Sequence, residues 1–240
     1  MESHGEKSLN LLNILTAKTY LAKFMTHIVL LGDSIFDNAV YVLDGEDVIH
    51  HIKRKIPPSW SATLLAVDGS VARDIPDQAR GLLDDTTHLF LSVGGNDALK
   101  NMYYLSMRAE SVAQVMTIFS RLAIDFLNNY ITAVKSLLET RLPLTLCTIY
   151  KPNFQLAEQQ TVATSALTFW NDVIIQTAIT YKLPIIELRQ IFTSPADYAN
   201  SIEPSAIGAD KLSNWIIEVV QKHDFNQPQT IIYGNSRNLS

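Results

Sequence analysis

Gly32-Asp33-Ser34 stands directly behind the apolar run His27-Ile28-Val29-Leu30-Leu31, and Gly94-Gly95-Asn96-Asp97 stands behind a second, Leu89-Phe90-Leu91-Ser92-Val93. A serine hydroxyl becomes a nucleophile once a base takes its proton, and an asparagine amide is an uncharged donor suited to a developing oxyanion. A third run, Leu64-Leu65-Ala66-Val67-Asp68, leads to Gly69-Ser70 and offers a backbone N–H for the same charge. Together these groups are suited to acyl transfer. Gly-Asp-Ser alone reads as a capping turn, because all three residues are common at turns and helix starts. What points to a site is the repetition: three apolar runs each deliver one such group to a strand end, where open α/β sheets place their ligands.

The segments 28–38, 64–78 and 88–99 carry these motifs in order. On them the chain resembles the GDSL-type, or SGNH, hydrolase superfamily, over about residues 25–222. In that family an early Gly-Asp-Ser gives the nucleophile. A later glycine and a Gly-x-Asn-Asp complete the oxyanion hole, and an Asp-x-x-His near the carboxyl end gives the base. The resemblance implies Ser34 as nucleophile, with the Ser34 N–H, the Gly69 N–H and the Asn96 side chain as oxyanion donors. It also implies a small-molecule ester as substrate, cleaved through an acyl-enzyme with no cofactor.

The fourth motif departs from the family pattern. Where the family reads Asp-x-x-His-Pro-Ser and then a glycine, this chain reads Asn200-Ser201-Ile202-Glu203-Pro204-Ser205-Ala206-Ile207-Gly208. No other histidine is a good substitute. His27 and His88 stand at the amino ends of their strands, His50 and His51 precede Ile52-Lys53-Arg54-Lys55 on a surface helix, His223 is in the last helix and His4 in the leader. Glu203 is therefore the candidate base. An unperturbed glutamate titrates near ~4.3 against ~6.5 for histidine, a deficit of about 3 kcal/mol that burial would reduce. Asn200 fits the exchange, since its amide can donate to a carboxylate that an aspartate would repel. Glu203 also reads as a cap or ion-pair residue at the start of the final helix. Arg189 could pair with Glu203 and lower its pKa, or pair with Asp197 or a carboxylate elsewhere.

The elements that must hold these residues follow from the pattern of apolar runs. Strands are expected at 27–31, 64–70, 89–93, 144–150 and 183–186, and helices at 75–83, 109–140, 156–181 and 209–222. Such alternation predicts a single flavodoxin-like three-layer α/β/α sandwich around a parallel sheet. The domain is expected over 25–224, after an amphipathic extension at 1–24 and before a polar, peripheral tail at 225–240 with one apolar patch, Ile231-Ile232-Tyr233. Asp33 and Asp97 are expected to hold the turns, Asp37 and Asn38 to brace the first helix, and Tyr150, Lys151 and Asn153 to line the pocket.

Composition limits the alternatives. The 240 residues are 47% hydrophobic and 18% charged, enough for one sizeable core. A net charge of −5 gives no basic footprint for nucleic acid, and Lys53-Arg54-Lys55 reads as a solvated helix face. Cys147, the single cysteine, reads as core filler, and a cytoplasmic location is favoured by the lack of a clear signal peptide. Neither a membrane-spanning run nor metal-ligand spacing nor a phosphate-cradling glycine loop is evident, and oligomeric state is not legible. The alternative to the hydrolase is a catalytically silent module of the same fold that binds an acyl or glycan ligand.

Overall fold

The computed structural model describes residues 25–235. In chain order it contains β1 (His27–Gly32), α1 (Val48–Lys55), β2 (Ser61–Leu64), α2 (Ile75–Gln78), β3 (His88–Ser92) and α3 (Gly95–Leu99). There follow α4 (Val112–Leu138), β4 (Leu144–Cys147), α5 (Ala157–Tyr181), β5 (Ile185–Ile186), α6 (Leu188–Ile191), α7 (Ala206–Lys222) and β6 (Ile232–Tyr233). The six strands form one sheet in the order β2-β1-β3-β4-β5-β6, and every pairing is parallel.

The central strands are apolar at successive positions because both faces of the sheet are covered. Side chains alternate across a strand. Val29 and Leu31 accordingly join Leu89, Leu91, Phe126 and Tyr130 in one core under α4 and α5. Ile28 and Leu30 join Phe90, Ile52, Leu212 and Ile216 in the other, under α1 and α7. Each such side chain, buried, is worth about 1.5–3 kcal/mol. The result is the expected three-layer α/β/α sandwich.

The strand order also says where a site can form. From β1 the chain crosses to β2 on one side and then to β3 on the other, so the order reverses between β1 and β3. Loops leaving these two strands diverge and open a crevice at their carboxyl ends. Ser34 follows β1 and Asn96 lies in α3, just beyond β3.

Several expectations are corrected. The second strand is Ser61–Leu64 rather than 64–70; beyond it Leu65, Ala66 and Val67 still bond to Leu30 and Gly32 before the chain turns at Gly69. No helix begins at Ser34: the chain turns there, and the first α-helix waits until Val48, capped by Asp47. His51 lies on the inner face of that helix and is buried rather than on the surface, with Nδ1 3.2 Å from an Asp210 carboxylate oxygen. The expected peripheral tail contributes β6, whose Ile232 and Tyr233 pair with Ile185 and Ile186. The leader at 1–24 lies outside the described residues.

Candidate active site

Gly32 ends β1 at φ +133°, and a Cβ there would meet the Ser92 carbonyl oxygen at 1.8 Å. Only glycine lets the chain turn so close against β3. The turn is then fixed by hydrogen bonds. Asp33 N–H donates to the Ser92 carbonyl at 3.1 Å, Phe36 and Asp37 N–H groups donate to the Asp33 carbonyl, and the Asp33 carboxylate accepts from Ile35 N–H at 3.2 Å. Gln78 braces it from α2: its Oε1 accepts from Gly32 N–H and its Nε2 donates to the Gly32 carbonyl, both at 2.8 Å. Ser34 is thereby held buried on a rigid turn. Its N–H finds no acceptor among the described residues. A buried donor left without a partner is costly unless a ligand supplies one.

Gly69 and Asn96 come from the neighbouring strand ends. Asp37 accepts from Asp68 N–H at 2.9 Å and Tyr41 Oη donates to Asp68 at 2.7 Å, which anchors the Gly69 turn to the Ser34 turn. The Gly69 N–H also lacks an acceptor among the described residues. Gly69 nevertheless stands on an exposed turn and does not line the pocket that holds Ser34. Asn96 does line it, and its Nδ2 donates one N–H to the Ser70 carbonyl at 3.0 Å. An amide carries two such hydrogens, so one remains. Asp97, as expected, holds a turn by accepting from Ala72 N–H at 3.0 Å.

Glu203 enters the same pocket from the segment before α7. Tyr150 Oη donates to the Ile202 carbonyl, Asn153 N–H to the Ser201 carbonyl at 2.7 Å, and Asn38 Nδ2 to the Pro204 carbonyl at 3.3 Å. Asn200 works differently from expectation. Its Oδ1 accepts from the Ile202 and Glu203 N–H groups at 2.9 and 3.0 Å, so it shapes the backbone that carries Glu203 rather than donating to the carboxylate. At the helix start the capping role belongs to Ser205, whose Oγ accepts from Gly208 N–H.

The electrostatics favour a protonatable Glu203. Its Oε2 is buried with no hydrogen-bond partner among the described residues. Burial pushes its pKa up to about 7, against the smaller opposing effect of the Ser34 hydroxyl. Arg189 pairs with Glu187, the carboxylate elsewhere among its expected partners, and Asp197 pairs with Lys211, so the Arg189 cation pairs with neither Glu203 nor Asp197. Asp33 is more deeply buried, and that burial, helped by the charges of Glu203 and Asp97, raises its pKa to about 8. The same burial pushes the Cys147 thiol well up, as suits a core residue.

Beyond these polar groups and Asn101 the pocket is mostly apolar. Its walls include Leu99 and Met102, Phe119 of α4, and Phe154 and Trp170. Of the three residues expected there after β4, Tyr150 lines it but Lys151 and Asn153 do not. Sequence reading missed Gln78, Ile202 and the α5 wall. Gln78 carried no signal, since it braces a residue 46 positions away. Among the described residues no group of three or more histidine, cysteine or acidic side chains could hold a metal ion, and no helix is long and apolar enough to cross a membrane.

Comparison with known proteins bears on the fold. No protein-family model and no curated protein matches the sequence. Solved structures do match in shape. A member of the lipolytic protein G-D-S-L family from Veillonella parvula is 17% identical and superposes with a TM-score of 0.59, over 82% of this chain and 100% of that one. A lipase from a goat rumen metagenome is 18% identical with a TM-score of 0.62, over 81% and 97% of the two chains. A phospholipase A1 from Streptomyces albidoflavus is 18% identical with a TM-score of 0.55, over 83% and 100%. The chain has the α/β fold of GDSL-type (SGNH) hydrolases.

Proposed function

We propose that this chain is a GDSL-type serine hydrolase that cleaves carboxylic esters through an acyl-enzyme, with Glu203 in the position of the usual histidine. Ser34 Oγ attacks the ester carbonyl as its proton passes to the Glu203 carboxylate. The Ser34 and Gly69 N–H groups and the free Asn96 N–H hold the oxyanion. The tetrahedral intermediate collapses, the C–O bond to the alcohol breaks, and Glu203 returns the proton to that oxygen. Water then repeats the sequence on the Ser34 ester and releases the acid.

The observation that carries this reading is the juxtaposition of Ser34 and Glu203 in one pocket, with Glu203 Oε2 buried and unpartnered. An orphaned carboxylate oxygen is a costly feature unless it accepts a proton or a donor. A pKa near 7 also removes most of the basicity deficit of glutamate against histidine. Hydrolysis of a short-chain p-nitrophenyl ester, with Ser34→Ala and Glu203→Gln for comparison, tests it. Loss in both variants is expected; full activity in Glu203→Gln would remove Glu203 from the base role.

One observation favours a second reading, a silent module that binds without turnover: Gly69 stands outside the pocket lining. An incomplete oxyanion hole would leave the charge that develops on attack by Ser34 unstabilised. A fluorophosphonate separates the readings, because covalent labelling of Ser34 requires both an activated serine and donors for the phosphoryl oxygen.

A further inference from the structure

The wall of the pocket built by α5 has a regular composition. Ala163, Ala166, Leu167 and Trp170 fall at i, i+3, i+4 and i+7, on one helical face, and all four line the pocket. Phe119 of α4 joins them and meets Trp170 edge-on, with ring centroids 6.4 Å apart at 83°. The polar lining comes from elsewhere: Asp33, Ser34 and Glu203 arrive on turns around the sheet's carboxyl edge, Asn96 in α3 with Asn101 just beyond it, and Tyr150 after β4, its hydroxyl already given to the Ile202 carbonyl. About 750 Å³ of space lies between these walls, open solvent at the mouth included.

That division of lining discriminates among the esters such a fold could take. A sugar ester needs several hydrogen-bond partners along its length, because each buried hydroxyl left unpaired is penalised. The α5 wall offers only the Trp170 indole N–H, which is buried without a partner among the described residues. An alkyl chain needs none and gains from each methylene removed from water. The two alanines, small at positions where Leu167 and Trp170 are large, are what keep the space open.

We propose that this pocket holds one extended apolar chain of the ester, and that Ala163 and Ala166 set the chain length accepted. This rests on the hydrolase reading of Ser34. The chain can belong to the acyl group or to the alcohol, and the chemistry of the wall is the same for both.

The test uses the full chain, p-nitrophenyl esters from acetate to dodecanoate, and a parallel series of alkyl acetates. In one of the two series kcat/KM should climb about fourfold per methylene until the pocket is full, the equivalent of about 0.8 kcal/mol per buried CH₂. The series that climbs identifies the arm. Ala166→Phe should lower the decanoate-to-acetate ratio (or its alkyl counterpart) at least tenfold, and Ala163→Leu, a smaller change, should move it the same way; circular dichroism confirms that both fold. Flat series with measurable hydrolysis would overturn the pocket proposal and leave the hydrolase reading standing. Binding is read separately, as the change in Trp170 fluorescence when decanoate is added to Ser34→Ala, with Trp170→Phe as the control for Trp60 and Trp215. Decanoate bound by Ser34→Ala and rejected once Ala166→Phe is added, in a parent that hydrolyses nothing, would keep the chain pocket and sink the hydrolase. Neither hydrolysis nor decanoate binding would sink the pocket.

Discussion

Asn38 Nδ2 donates to the Pro204 carbonyl at 3.3 Å, tying the turn that presents Ser34 to the segment that carries Glu203 across 166 positions of chain. Its Oδ1 accepts from Val48 N–H at 3.0 Å, so one fully buried amide also fixes the start of α1. Asn38→Ala leaves both partners unpaired. The expected cost is about 1–3 kcal/mol per buried group, seen as a lowered midpoint in urea. If the tie also sets the distance between nucleophile and base, kcat falls at least tenfold while KM is unchanged. A normal kcat in the folded variant would limit Asn38 to a structural role.

In the proposed mechanism Asn96 carries both a structural and a chemical load. One amide hydrogen holds the Ser70 carbonyl, and the other is free for the oxyanion. Asn96→Ala should lower kcat about 10²–10³-fold, the usual effect of removing one such donor. Asn96→Asp keeps the size but presents a charge of the wrong sign, so it should be at least as damaging to turnover. An active Asn96→Ala enzyme would show that the oxyanion is held elsewhere.

Gly32 and Gly69 separate packing from conformation. At Gly32 an added Cβ would sit 1.8 Å from the Ser92 oxygen, and Gly32→Ala should fail to fold or lose several kcal/mol. At Gly69, with φ +81°, nothing lies within 4 Å of a Cβ. Gly69→Ala should therefore cost only the left-handed penalty of about 1–2 kcal/mol and give a folded protein. If the Gly69 N–H also serves the oxyanion, its turnover should fall beyond what that stability loss explains. Thermal melts and ester hydrolysis of both variants decide this.

These contrasts explain how much could be read from sequence. β1 and β3 were legible because strands buried on both faces are apolar throughout, and Gly32 and Gly94 mark where they end. Ser34, Asn96 and Glu203 were legible because strand ends and a Pro-Ser helix start are local signals, and they line one pocket. Asn200 was legible as a position but not as a bond: the donor and acceptor ends of an amide look alike in sequence, and only the folded turn shows Oδ1 taking two N–H groups. β6 was hidden because two residues in a polar stretch carry no period. Its pairing depends on β5 already being in place.

The buried carboxyls make stability depend on pH in a defined direction. Asp33 titrates at about 8 in the folded chain and Glu203 at about 7, against ~3.9 and ~4.3 when unfolded. A carboxyl whose folded pKa is raised holds its proton longer in the native state, so its contribution is complete below about pH 4 and is lost as pH rises through 7 and 8. Burial holds His88 down at about 4 and lowers His223, groups of opposite sign whose contribution is complete above about pH 6.5. The window from pH 6.5 to 8 therefore leaves the histidines out and reads the raised carboxyls, among them Asp97, which burial also pushes up. The melting temperature should fall across it at constant ionic strength. Asp33→Asn, which keeps an acceptor for the Ile35 N–H, should flatten much of that slope. Activity should move the other way, because the base must be ionised: kcat/KM should rise with pH and level off above about 7. A melting temperature that is constant or rising from pH 6.5 to 8 would mean that Asp33 ionises freely in the folded chain. A rate that falls with pH over the same range would exclude Glu203 as the base.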